Sequence, residues 1–222
     1  MHRIPEPELM DGKAQSLAYA NADFEQPNRL FMECLSQRID PYFQGAILDL
    51  GCGPGDIAIR IAKTYSQAEI DAIDGSKPML DYARRALEGQ PSTLQERVRL
   101  IEAIIPQDSL PRQQYQLIIS NSLLHHLHNP QDFWQTVNRY RDEHTVIVVM
   151  DLFRPDTSAD ASKLVEHYAG DEPEILRHDF YHSLCAAFTP QEIEAQLIEA
   201  GLEWLQVNKV SDRHLLIQST NI

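Results

Sequence analysis

The feature that most narrows the possible folds is a strand-forming run, AILDL, that passes without a break into Gly51, Cys52, Gly53, Pro54 and Gly55 and then into a helical stretch starting near Asp56. Glycines at such a turn admit left-handed backbone and let the main chain approach a ligand closely at a helix N-terminus. Beyond it, apolar runs keep alternating with longer amphipathic segments, which signals βαβ units and a parallel sheet. Candidate strands occupy 45–49, a run ending at Asp74, 98–103, 115–120, 145–151, 202–208 and 213–219. Helices start near Asp56, Lys77, Pro130 and Thr189, the last opening as TPQE, a threonine cap with glutamate three residues later. Only Lys209 to Asp212 separate the final two runs, too few residues for a crossover helix, so these two form an antiparallel hairpin.

A chain of 222 residues, 43% of them hydrophobic, suits a single domain. Within it, residues 45–151 carry the repeating strand–helix pattern, and 189–222 add a helix and the hairpin. Two segments fall outside that pattern. Residues 1–44 read as two helices, around 12–24 and 27–38, and residues 152–188 are rich in histidine, tyrosine and acids. In a doubly wound fold such additions commonly cover the crevice at the carboxyl ends of the strands. The first is therefore expected to be a helical lid and the second an acceptor pocket.

The formal charge of -14, with no basic run longer than Arg84-Arg85, opposes a nucleic-acid partner. No apolar run approaches the roughly 20 residues needed to span a bilayer, and the first residues carry acids and prolines rather than a signal sequence. A cytoplasmic protein without a membrane partner is expected. Cys34, Cys52 and Cys185 are odd in number and widely spaced, which suggests reduced thiols rather than a disulfide framework or a zinc site. The sequence leaves the oligomeric state open between monomer and homodimer.

Two cofactor classes use a glycine turn of this kind. A dinucleotide enzyme wants glycine at the sixth position to receive a pyrophosphate, and here that position is Asp56, a negative charge where phosphate would lie. A Walker loop is excluded because no Gly-Lys-Ser/Thr follows. The run ILDLGCGPG, with Asp49 two residues before the first glycine, resembles the first motif of the class I S-adenosylmethionine-dependent methyltransferases. Their cofactor has no phosphates, so the loop needs no anion hole.

The resemblance implies an α/β fold: a doubly wound, mostly parallel seven-stranded sheet in the order three, two, one, four, five, seven, six, the last strand antiparallel. It also implies S-adenosylmethionine as cofactor and S-adenosylhomocysteine as product. Asp49, Gly51, Cys52 and Gly53 then form the glycine loop. Asp74, at the end of the second strand and 23 residues beyond Gly51, is the position expected to accept both ribose hydroxyls, with Gly75 and Ser76 beside it. A merely structural role for Asp74, capping the following helix, is the alternative. Met79 is a candidate for the adenine slot or for plain core.

The third strand departs from the family pattern. Glu102-Ala103-Ile104 stands where many members have Gly-Asp-Ala, so backbone groups near Ala103 and Ile104 are expected to recognise the adenine. After the fourth strand, Asn121 and Ser122 match the turn that contacts the methionine amino group through main chain. The Asn/Asp-Pro-Pro-Tyr/Phe signature of enzymes that methylate exocyclic amines is missing there. Tyr19 resembles a lid tyrosine that folds over the cofactor in several members.

Methyl transfer from a sulfonium is an in-line displacement, for which an enzyme supplies alignment, exclusion of water and, for a protonated acceptor, a base. His125, His126 and His128 follow the fourth strand, close to where the family holds the methyl group, and imidazole suits proton removal near neutral pH. His125, His126 and Asp151 are the candidates for chemistry. No metal is expected, since adjacent histidines on a turn point apart and no carboxylate sits at helical ligand spacing nearby. Arg154 is a candidate clamp for a substrate carboxylate, its alternative being a local ion pair. His178, Tyr181 and His182 share a helix face and are expected to line the acceptor pocket. The sum is methyl transfer to a small-molecule acceptor, cationic or amphoteric. Its rivals are a catalytically silent cofactor-binding protein and, with Asp56 against it, a nicotinamide-dependent oxidoreductase.

Overall fold

The structure, a computed structural model, describes residues 1–9 and 12–219. Seven strands, β1 (Gln44–Leu50), β2 (Gln67–Asp74), β3 (Val98–Glu102), β4 (Leu117–Asn121), β5 (Val146–Leu152), β6 (Gln206–Lys209) and β7 (His214–Gln218), form one sheet in the order β3-β2-β1-β4-β5-β7-β6. β1 pairs in parallel with both β2 and β4, and β7 runs antiparallel to β5 and β6. This is the order and direction implied by the resemblance.

The strands read as nearly continuous apolar runs because both faces of the sheet are covered. On one face, Ile47, Ile70, Ile119 and Val148 pack with Phe31 and Leu35 of α2 (Glu25–Ser36) and Ile57 and Ile61 of α3 (Asp56–Thr64). On the other, Leu48, Leu50, Ile118 and Val149 pack with Phe133 and Trp134 of α6 (Gln131–Tyr140) and Ile193 and Leu197 of α9 (Pro190–Glu199). Burying one leucine or isoleucine contributes about 1.5–3 kcal/mol, so these two layers fix the sheet's register. The Thr189 cap is present in full: its hydroxyl accepts the Glu192 N–H, while Glu192 accepts the Thr189 N–H. The remaining helices of the core are α4 (Lys77–Glu88) and the single turn α5 (Ser92–Gln95).

The last hairpin is shorter than its sequence suggests. Leu202 and Leu205 are buried, but in a turn after α9, where the Leu202 N–H returns to Leu197 O at 2.8 Å and the Leu205 N–H to Leu202 O at 2.9 Å. Alternating apolar residues there serve that turn and not a strand.

The two segments outside the repeating pattern are helical. α1 (Lys13–Asn21) and α2 precede the sheet, and α7 (Ser158–Ala169) and α8 (Glu174–Ala186) follow β5. α7 begins at Thr157, whose hydroxyl accepts the Asp160 N–H. It packs with α8 through Ala161, Val165 and Leu184 over Leu152. The first nine residues form a strap held by Arg3, which donates to the carbonyls of Ala186 at 2.5 Å and of His125 and Leu127 at 2.9 Å, over the ring of Phe188.

Candidate active site

The strand order reverses between β1 and β4, and a crevice opens where connections leave that point in opposite directions. It holds a cavity of about 390 Å³ bounded by the glycine loop, the ends of β2 and β4, the N-terminal strap and α1, and residues of α7 and α8. That size suits a small-molecule site.

The glycine loop is left-handed at three places, Gly51 (φ 73°), Gly53 (φ 53°) and Gly55 (φ 87°). The first two have different reasons to lack a side chain. A Cβ on Gly51 would lie 2.8 Å from the side chain of Leu123, so the turn after β4 demands glycine there. A Cβ on Gly53 would meet no atom of the described residues within 4 Å, although Gly53 lines the cavity. Its bareness leaves a cradle for something else.

Asp74 ties the two loops together. One carboxylate oxygen accepts the Gly53 N–H at 2.8 Å and the other the Ser76 N–H at 2.7 Å. The cap of α4 is Ser76, whose hydroxyl accepts the Met79 N–H, so capping does not account for Asp74. Asp49 is 1% exposed, and its Oδ2 has no hydrogen-bond partner among the described residues. Burial, with the charge of Asp74 adding to it, pushes its carboxyl up to about 7. Asn121 Oδ1 is likewise buried and unpartnered, and the next residue, Ser122, takes a left-handed φ of 63° that a non-glycine residue adopts at a cost.

Cys52, Gly75, Met79 and Tyr19 also line the cavity, Met79 while 3% exposed and Tyr19 with its ring tilted on Phe24. Burial raises the Tyr19 hydroxyl well above its ordinary value. Gly75 underlies the strap: a Cβ there would sit 2.8 Å from Leu9 Cδ2.

Several expectations need correction. The amides of Ala103 and Ile104 line the cavity but are already committed, to Asp74 O at 3.1 Å and to the Asp108 carboxylate at 2.8 Å. They cannot both serve as free donors to an adenine. Arg154 is 7% exposed and lies outside the cavity lining, donating to Glu192 at 2.6 Å and to Ala187 O at 2.9 Å. It is neither a clamp nor a local pair closing its own loop, but a long-range ion pair to the first turn of α9. His178, Tyr181 and His182 do share a face of α8, with the two imidazoles 4.2 Å apart, but the cavity is lined by the adjacent face, Leu176, Asp179, Phe180 and Ser183. A helix face was legible without its direction. Asp179, within the stretch expected to form the acceptor pocket, has a buried unpartnered Oδ2 there.

The histidines after β4 form a short 3₁₀ turn, Leu124–His126. His125 and His126 line the cavity, with rings 4.2 Å apart, whereas His128 is 58% exposed and bonds Glu6 O. Asp151 lies behind His125 rather than in the cavity lining. Its carboxylate sits 2.5 Å from His125 Nδ1 and also accepts the His125 and Leu152 N–H groups. Burial opposes a charge on His125, but Asp151, aided by Glu6, outweighs it and raises the imidazole above its ordinary value. Burial and its neighbour His125 drive His126 well below.

The geometric reasons for expecting no metal fail. The two adjacent rings face the same point, and the strap brings a carboxylate to it: Glu6 Oε1 lies 3.1 Å from His126 Nδ1 and 3.6 Å from His125 Nε2. Nothing around Glu6 in the sequence signals this contact, which depends on where Arg3 anchors the strap. His214 is another residue the sequence reading missed; it lines the cavity as a buried neutral ring held down to about 4 by burial and by Arg213.

Eight carboxylate side chains line the cavity among the described residues, against one arginine, Arg213, which pairs with Asp212 and Gln26. The cavity therefore favours a cation.

A methyltransferase-domain family profile matches residues 47–142. The malonyl-[acyl-carrier protein] O-methyltransferase of Halalkalibacterium halodurans is 31% identical over 117 residues, 50% of this chain and 40% of that protein. The chain thus matches well under half the length of this curated relative. Among solved structures, a SAM-dependent methyltransferase from Aquifex aeolicus aligns with a TM-score of 0.63 at 17% identity, covering 92% of this chain and 96% of that one. A plantazolicin methyltransferase in complex with S-adenosylhomocysteine aligns at 0.61 and 17% identity, covering 93% and 86%. Sheet order, glycine loop and family match agree: residues 47–142 match a methyltransferase domain, and the chain takes the fold of the S-adenosylmethionine-dependent methyltransferases of known structure. S-adenosylmethionine is the cofactor of that class, and the residues around the Gly53 cradle, with two unpartnered buried oxygens, fit it.

Proposed function

We propose that this protein transfers a methyl group from S-adenosylmethionine to a small acceptor, cationic or amphoteric, held under the lid formed by the strap, α1, α7 and α8. The reading rests most on the cradle at Gly53 beside Asp74: a carboxylate at the end of β2, facing a bare backbone turn, is placed to accept two ribose hydroxyls. Asp49 Oδ2 and Asn121 Oδ1 are acceptors for the ammonium end of the cofactor, and the excess of carboxylates offsets its sulfonium charge. Met79, Gly75, Ser76 and the Ala103–Ile104 segment enclose the adenine, with Tyr19 closing over the cofactor from the lid.

The acceptor enters between α8 and the turn after β4, where Asp179 and Glu172 supply negative charge and Phe180 and Leu176 apolar surface. An electron pair of its nucleophilic atom forms the new bond to the methyl carbon as the carbon–sulfur bond breaks, and sulfur keeps that bond's electrons. The chain contributes alignment and exclusion of water. His125 and His126 present ring nitrogens at this end, and Asp151 acts through His125 as a positioning residue.

Calorimetric titration with S-adenosylmethionine, S-adenosylhomocysteine and NADH tests the pocket, and a mass-spectrometric screen of amines, carboxylates and phenols tests the transfer. Binding of the first two ligands, absence of NADH binding and loss of at least about 30-fold affinity in Asp74→Ala are expected, since a charge-assisted bidentate contact is worth roughly 2–3 kcal/mol. Failure of both sulfur compounds to bind the native chain would refute the cofactor site. Binding without methylation of any acceptor in the panel would favour a silent binding protein.

A further inference from the structure

Glu6, His125 and His126 converge beside the cavity in a way that proton bookkeeping alone leaves incomplete. His125 Nδ1 faces the Asp151 carboxylate at 2.5 Å, an acceptor, so in the neutral ring the proton sits on Nδ1 and the lone pair on Nε2. That nitrogen lies 3.6 Å from Glu6 Oε1. His126 Nδ1 is buried with no hydrogen-bond partner, and lies 3.1 Å from the same oxygen. Two imidazole nitrogens and one carboxylate oxygen thus lie within 4.8 Å of one another.

We propose that Glu6, His125 and His126 form a three-ligand site for a divalent transition-metal ion of the zinc type, open to the acceptor end of the cavity. The spacing fits. Ligands at about 2.0–2.1 Å from a tetrahedral ion stand roughly 3.4 Å apart, and the two nitrogen–oxygen separations bracket that value. The supporting contacts fit as well. A metal-bound histidine characteristically gives its other N–H to a carboxylate, as His125 does to Asp151, and a ligating carboxylate is itself hydrogen-bonded, as Glu6 is by the Ser183 hydroxyl at 3.0 Å. Mixed imidazole and carboxylate ligands favour zinc, cobalt or nickel over magnesium or calcium.

Three protein ligands leave at least one position free, and both histidines line the cavity, so that position faces the acceptor. If the proposed methyl transfer holds, the ion would fix an acceptor oxygen, nitrogen or sulfur and favour its deprotonated form. Metal binding itself does not depend on that reading.

The test is a titration of untagged, chelator-treated protein with Co2+, followed by visible d–d absorption and equilibrium dialysis, in the wild type, Glu6→Gln and His126→Ala. The double variant His178→Ala/His182→Ala removes the surface imidazole pair as a competing site. One equivalent of Co2+ with tetrahedral-type bands is expected in the wild type and the surface variant. Affinity should fall at least about tenfold in Glu6→Gln and in His126→Ala, which keep S-adenosylmethionine binding as proof of folding. Absence of binding, or binding unchanged in both of these variants, would overturn the site. A wild-type protein that binds cofactor but no metal would refute only this inference; intact metal binding without methyl transfer would refute only the proposed function.

Discussion

Asp49→Asn should make the protein more stable and bind its cofactor worse, and the balance should depend on pH. The Asp49 carboxyl is fully buried, its Oδ2 lacks a partner, and its pKa stands at about 7 against an ordinary 3.8. Its folded value is raised, so below 3.8 the group is neutral in both states and costs nothing. Between 3.8 and 7 the unfolded chain releases the proton that the folded chain keeps, and stability falls as pH rises. Above 7 the penalty levels off at about 4 kcal/mol, taking 1.36 kcal/mol for each unit of the shift. Asparagine has nearly the same shape and no charge to desolvate. Urea unfolding of both proteins without cofactor at pH 5 and pH 8 isolates this group, because every other titration cancels in the difference. The variant's advantage should be larger by about 3 kcal/mol at pH 8 than at pH 5. A cationic ligand beside Asp49 favours the ionised form, so wild-type affinity for S-adenosylmethionine should rise up to about tenfold per pH unit below 7, and the variant's should stay flat. Parallel stability profiles for the two proteins would refute the assignment of an unpaired buried carboxyl.

The glycines separate packing from binding. Gly51→Ala should lose about 2–3 kcal/mol in thermal or urea unfolding, from left-handed backbone and collision with Leu123, whereas Gly53→Ala should lose only about 1 kcal/mol and instead weaken cofactor binding in calorimetry. Arg154→Ala should cost about 2 kcal/mol of stability by removing a half-buried ion pair and a buried carbonyl bond, measured by denaturant unfolding, and leave affinity for the cofactor unchanged. His178→Ala and His182→Ala should change neither cofactor affinity nor acceptor KM, while Asp179→Asn should raise KM for a cationic acceptor about tenfold in steady-state assays.

The fold was legible because its signals are local. A buried strand entering a glycine turn, apolar runs spaced for crossover helices and a four-residue link before the last strand each constrain the backbone within a few residues. For the same reason Gly53, Asp74 and Asn121 could be placed on one crevice: they sit at strand ends, and strand ends next to a switch point meet in every sheet of this order. Where the reading of residues 202–205 as strand failed, an apolar alternation served a turn instead.

What the sequence left undecided is where each added element points and what the chain brings from afar. Periodicity grouped His178, Tyr181 and His182 correctly, but the rotation of α8 is set by Leu184 packing on α7, and that turns Asp179 and Ser183 to the cavity instead. Arg154 was open between a clamp and an ion pair because its partner Glu192 lies beyond two helices, in the first turn of α9. Glu6 reaches His125 and His126 because Arg3 and Ile4 pin the strap to carbonyls of α8 and of the turn after β4. Sequence by itself determined the backbone's course and the cofactor crevice, since these follow from short-range sterics and strand order. The tertiary structure alone decided which charges are paired, which oxygens remain unpartnered and which side chains meet, because those depend on contacts between residues distant along the chain.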